Sequence, residues 1–180
     1  MLKALLHALI RRSEREIDDN FAYMHAIVDI SPSAFRKLLG LLNMAQFSRG
    51  VPAEARFAAS LAATLAEDCG PCTQTVVNLA LKSGVKQEII AALLVRDLAA
   101  SGEAAGLGFR FGDAVARSLP EIEEIDVAAE RRWGKEGRLT LTYAAASARV
   151  YPAIKRGLGF AATCARVQLG NRDVIVNHAA

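Results

Sequence analysis

Apolar residues recur along most of this chain at the three- and four-residue spacing of helices buried on one side, and no run alternates with the two-residue period of a strand series. Leu2, Leu5, Leu6, Leu9 and Ile10 open the chain with an amphipathic stripe, which predicts a helical arm over residues 1–30 that docks on the core or on a neighbouring subunit. Ser31-Pro32 reads as a cap followed by a first-turn proline, leading a helix from Ala34 to Phe47 that stops near Gly50. A second begins near Pro52 and reaches Ala66; a third starts at Cys69 and closes at Ser83-Gly84. Residues 86–100 carry Ile89, Ile90, Leu93, Leu94 and Leu98 on one side, and 103–118 are helical in pattern but weakened by Gly106, Gly108 and Gly112, which suit close helix packing. Pro120 opens an acidic first turn and a helix to Arg132; residues 134–137 make a turn, and a long helix follows over 138–155, kinked or interrupted at Pro152. A short final helix is expected over 159–169, and 174–176 is the only β-like run near the end. The expected fold is all-α, a single domain over 1–180 with a core at 51–100 and C-terminal helices over 120–180.

Composition agrees with a globular protein: 52% of the residues are hydrophobic and 23% charged, with a formal net charge of +3. The charges are interspersed. Arg11, Arg12 and Arg15 are matched at once by Glu14, Glu16, Asp18 and Asp19, so a solvated helix face fits better than a nucleic-acid surface. No apolar run approaches the roughly 20 residues that span a bilayer, so no transmembrane segment is expected. Arg11-Arg12 stand where a signal peptide would be cleaved; with three cysteines, an odd number, this leads to the expectation of a reducing, cytoplasmic setting.

Chemistry concentrates in Glu67-Asp68-Cys69-Gly70-Pro71-Cys72-Thr73-Gln74. Two thiols two residues apart at a helix start are placed for reversible disulfide formation, because free N–H groups and the helix dipole stabilise a thiolate. In a regular helix the two Cβ atoms would be roughly 5–6 Å apart, and a disulfide needs about 3.8 Å. The gap closes only if Cys69 occupies the irregular cap position. A zinc site lacks a second ligand pair, since Cys164, His7, His25 and His178 are scattered singly. A permanent bridge across so short a loop would constrain little chain entropy. A thioredoxin fold would put a β-branched strand before the motif, whereas residues 55–68 are alanine-rich and helical in composition. His25 reads as a partly buried, satisfied histidine, Cys164 as an inert packed thiol, and Gln74 as a surface residue.

A helical chain of this size, with Cys-x-x-Cys at a helix start after an Ala/Leu-rich helix that opens at Val51-Pro52, resembles the carboxymuconolactone decarboxylase and alkylhydroperoxidase AhpD-like superfamily, best over 51–98. The segment Glu130-Arg-Arg-Trp-Gly-Lys-Glu-Gly resembles the C-terminal part of uncharacterised members. The resemblance implies an AhpD-like helical bundle, a homo-oligomer of three or six chains, and a peroxidase in which Cys72 attacks the peroxide and Cys69 resolves the sulfenate. Thioredoxin-type logic makes Cys69, expected to be the more exposed, the attacking thiol instead. Peroxidase-type members also carry a glutamate twelve residues before the first cysteine and a histidine four after the second; here those positions hold Phe57 and Val76. Glu67 is the candidate to supply the missing acid/base group, with Asp68 beside it.

The expected function is therefore a dithiol oxidoreductase acting through Cys69 and Cys72 on a hydroperoxide or a disulfide. It would need no bound cofactor or metal, and an external dithiol would reduce it. A helical scaffold with a redox-sensitive latch and no turnover is the alternative, and decarboxylase chemistry fits less well because its acid/base side chains are missing.

Overall fold

The computed structural model describes residues 1–163 and 165–176, which form eight helices and one β-hairpin. In chain order these are α1 (Leu2–Ile17), α2 (Ala22–Ile30), α3 (Pro32–Ala45), α4 (Ala53–Ala66), α5 (Gly70–Lys82), α6 (Gln87–Leu94), α7 (Glu103–Arg117), α8 (Ile122–Gly157), β1 (Arg166–Leu169) and β2 (Arg172–Ile175). The fold is all-α, with the antiparallel β1–β2 pair a minor addition that sets Val167 opposite Val174.

Helix α4 is the centre of the bundle, packed along α7 and α8 with α5 beside it. Its alanines make this possible: Ala55, Ala58, Ala59, Ala62 and Ala63 are all fully buried. At the α4–α7 crossing a Cβ on Gly108 would stand 2.1 Å from the carbonyl oxygen of Ala55, and one on Gly112 would stand 2.2 Å from that of Ala59. Backbone meets backbone there, so only glycine fits on the α7 side. The expected close packing is what these two glycines serve. The largest core cluster joins Leu61, Leu65, Val77, Ile90, Leu93, Leu94 and Phe109 with Val167 and Leu169 of the hairpin.

The arm packs through Leu6 and Ile10 of α1 and Tyr23, Met24 and Val28 of α2 against Phe35 and Leu38 of α3, with Tyr151 and Ile154 of α8 closing the cluster. Leu2, Leu5 and Leu9 stay exposed, so only part of the leucine stripe docks within the chain. Ser31 caps α3 as expected, its hydroxyl accepting the Ala34 N–H at 3.3 Å. His25 is partly buried and bonded, with Nδ1 2.6 Å from Nδ1 of His7 and Nε2 3.4 Å from Glu14; His7 in turn reaches Asp29 at 3.0 Å.

Three boundaries differ from the sequence pattern. The expected helix over 86–100 ends at Leu94, because Arg96 is left-handed (φ 61°) and the Asp97 carboxylate takes the Ala100 N–H at 3.0 Å, a local alternative to the helical ladder. The expected break at 134–137 is present but confined to one residue: α8 is two helical runs that meet at Gly134 (φ 68°, ψ −178°), and Pro152 lies inside the second run without ending it. The expected helix over 159–169 does not form: residues 160–163 have no regular structure and 166–169 form β1. Gly159 (φ 77°) ends α8 in a paired cap, with Phe160 N–H donating to Lys155 O at 2.8 Å and Gly159 N–H to Arg156 O at 3.2 Å. Two sequence expectations, Cys164 as a packed thiol and His178 as a lone side chain, lie outside the described residues.

Candidate active site

The turn between α4 and α5 builds the dithiol. Asp68, exposed, takes a left-handed conformation (φ 47°) that asparagine and aspartate tolerate, and this swings Cys69 into the N-cap of α5 with extended backbone (φ −114°, ψ 94°). Pro71 lies in the first turn, where a missing N–H costs nothing. Cys69 thus occupies the irregular cap position that a disulfide to Cys72 requires, and both are free thiols. The Thr73 N–H and hydroxyl donate to the Cys69 carbonyl at 2.9 and 3.0 Å, fixing the first turn.

Both thiols are buried, Cys69 at 0% exposure and Cys72 at 4%, so Cys69 is not the more exposed of the two; it sits beneath the post-α8 segment, where the Gly70 N–H donates to the Ala162 carbonyl at 3.0 Å. The two sulfurs differ in charge preference. The side chain and backbone N–H of Cys72, with Lys155 and Arg156, outweigh burial and draw the Cys69 thiol down to about 6. The same neighbour and burial push the Cys72 thiol up. The pair therefore favours one thiolate and one thiol.

Lys155 is the residue the sequence reading missed. It is 4% exposed, lies beside Cys72, and holds its Nζ 4.9 Å from the centre of the Tyr23 ring. Among the described residues no carboxylate pairs with it. Its signal was legible: Leu141, Ala144, Ala148, Pro152 and Lys155 continue one buried stripe at three- and four-residue spacing, so a lysine falls on a core position. Tyr23, beside both cysteines, and Tyr151, one turn before Lys155, enclose the same region. Burial pushes both phenols up. The Tyr151 hydroxyl is buried and has no hydrogen-bond partner.

Glu67 stands at the same turn but is committed elsewhere. Its carboxylate accepts from Arg149 Nε at 3.0 Å and Arg156 at 2.5 Å, and Arg156 also donates to its backbone carbonyl at 3.0 Å. Burial alone would raise its pKa, but the two guanidiniums prevail and hold it below the usual carboxylate range. Such a group is ionised at neutral pH and ties α8 to the α4–α5 turn. Gln74 is not a bystander at the surface: its amide pairs with the backbone of Gln168 in both directions, at 2.9 and 2.8 Å, and so docks the hairpin on α5.

Phe57 and Val76 line one small cavity with Glu54, Ala58, Leu61 and Val77, and the Arg56 guanidinium stacks 4.0 Å above the Phe57 ring. The space amounts to about 10 Å³, room for no more than one water. Among the described residues no group of three or more His, Cys, Asp or Glu side chains stands where it could hold a metal ion, and no helix is long and apolar enough to cross a membrane.

The all-α architecture, with its dithiol at a helix cap, is consistent with an AhpD-like bundle. Residues 32–112, from α3 to the middle of α7, match the model of the Carboxymuconolactone decarboxylase family. The dithiol lies inside the matched segment, whereas Arg149, Tyr151, Lys155 and Arg156 lie beyond it. Neither the curated proteins nor the solved structures include a match.

Proposed function

We propose that the protein is a thiol oxidoreductase that reduces small hydroperoxides through Cys69 and Cys72. The observation that carries this reading is the pair of free thiols at the α5 N-terminus, with Cys69 in the irregular cap position that a disulfide to Cys72 requires. The Cys69 thiolate attacks the distal peroxide oxygen, an S–O bond forms, the O–O bond breaks, and an alcohol leaves. Cys72 then attacks the Cys69 sulfenate, an S–S bond forms, and hydroxide leaves to become water. Two electrons pass from the thiols to the peroxide, so no bound cofactor is needed, and an external dithiol restores the pair. The charge preferences favour Cys69 as the attacking thiol, the reverse of what the family resemblance implies. Burial of both sulfurs favours a small substrate over a folded partner's disulfide. Decarboxylation finds no support, since the family's acid/base positions hold Phe57 and Val76 around an apolar cavity. Assembly into three or six chains is part of this reading and is supported by the family resemblance alone.

Hydroperoxide titration of the reduced protein tests the proposal. Two thiols per chain should be lost quickly in wild type and the loss should repeat with excess dithiol. Loss no faster than that of a free thiol refutes peroxidase activity; a single equivalent without recycling would make the pair a redox latch.

A further inference from the structure

The chain lacks the glutamate and histidine that the resemblance leads one to expect, yet peroxide reduction still requires an acid for the leaving alkoxide and a base for the second thiol. Phe57 and Val76 supply neither. Glu67 is held between Arg149 and Arg156, ionised and occupied. The His7–His25 pair is taken up with Glu14 and Asp29 in the arm.

Lys155 meets the requirement from the opposite side of the site. A lysine seldom reaches 4% exposure without a carboxylate partner, and this one has none among the described residues. It lies close enough to the dithiol to act on the charge of both Cys72 and Cys69. The Tyr23 ring lies against the ammonium and stabilises its charge in the absence of water. One turn earlier on α8 the buried Tyr151 hydroxyl has no partner, leaving a polar group in the same region able to bond an incoming oxygen.

We propose that Lys155 is the catalytic acid and base of this dithiol, carrying one proton from Cys72 to the alkoxide that leaves the peroxide. The inference rests on the oxidoreductase reading above. Attack by the Cys69 thiolate produces an alkoxide, which takes a proton from the Lys155 ammonium and departs as the alcohol. The neutral amine then removes the Cys72 proton. The Cys72 thiolate attacks the sulfenate sulfur, the S–O bond breaks, and the hydroxide takes its proton from solvent. Lys155 ends as it began.

The experiment follows sulfenate and disulfide separately after mixing reduced protein with a hydroperoxide, using a nucleophilic dione to trap the sulfenate. Wild type is compared with Lys155→Met, which removes the amine, and Lys155→Arg, which keeps the charge but does not surrender a proton. Lys155→Met should slow disulfide closure about 100-fold. Lys155→Arg, which gives no proton to the alkoxide and takes none from Cys72, should slow sulfenate formation and disulfide closure alike. In wild type, disulfide closure should slow in heavy water, a readout that needs no variant to fold. Closure in Lys155→Arg within threefold of wild type, with an unchanged pH profile, overturns the proposal, as does an absent isotope effect in wild type. If wild type itself forms no disulfide, the oxidoreductase reading fails first and this assignment falls with it; if wild type reacts and both variants match it, only the role of Lys155 is wrong.

Discussion

At the scale of single residues the dithiol behaves as one titrating unit. In the native pair Cys69 has already lost its proton near neutral pH while Cys72 retains its own. Unfolded, both thiols titrate near about 8.5. Between about 6 and 8.5 the unfolded chain therefore binds more protons than the native one, and stability rises with pH. Above 8.5 the unfolded chain loses both protons while the native pair keeps one, and stability falls. Urea midpoints of the reduced protein should trace that maximum across the range. Cys69→Ser should flatten the rising limb; an unchanged rise would show that Cys69 is not the depressed thiol. The sequence held the cap position and the spacing of the pair. It did not show which sulfur ionises, because that depends on Cys72 and on side chains that α8 brings from more than eighty residues away.

Helices are where the sequence was most legible, since periodicity, the Ser31 cap and Gly84 mark their limits locally. Its failures also have local causes. Asp97 and Arg96 draw the chain out of α6, and Gly159 closes α8 before residues that carry a helical pattern in isolation. The break at Gly134 was legible, but it occupies one residue between the two runs of α8 rather than a four-residue turn. The α4–α7 crossing carries the prediction at this scale. Gly112→Ala sets a methyl against the Ala59 carbonyl, which overpacks a backbone contact and should cost about 1–3 kcal/mol. Ala substitution at Gly84, where a Cβ meets nothing, is strained by its positive φ but touches no neighbour, and should cost less. Equal losses from the two would show that backbone approach at Gly112 is not what constrains α7.

Over the whole molecule, the dithiol core sits between an N-terminal arm that contributes Tyr23 and a C-terminal helix that contributes Tyr151, Lys155 and Arg156. Glu67 is the tie between core and helix. Glu67→Gln should remove much of the attraction to Arg149 and Arg156 and cost about 1 kcal/mol, given how much solvent screens that pair, while peroxide reactivity changes by less than about threefold. A general acid lost at that position would instead cost about 10²-fold or more. The central claim is an activated Cys69, and ultraviolet absorbance of thiolate during a pH titration tests it most directly. Reduced wild type should show one thiolate per chain appearing near pH 6, retained in Cys72→Ser and missing in Cys69→Ser. If no thiolate appears in wild type until pH passes about 8.5, the account of the site is wrong.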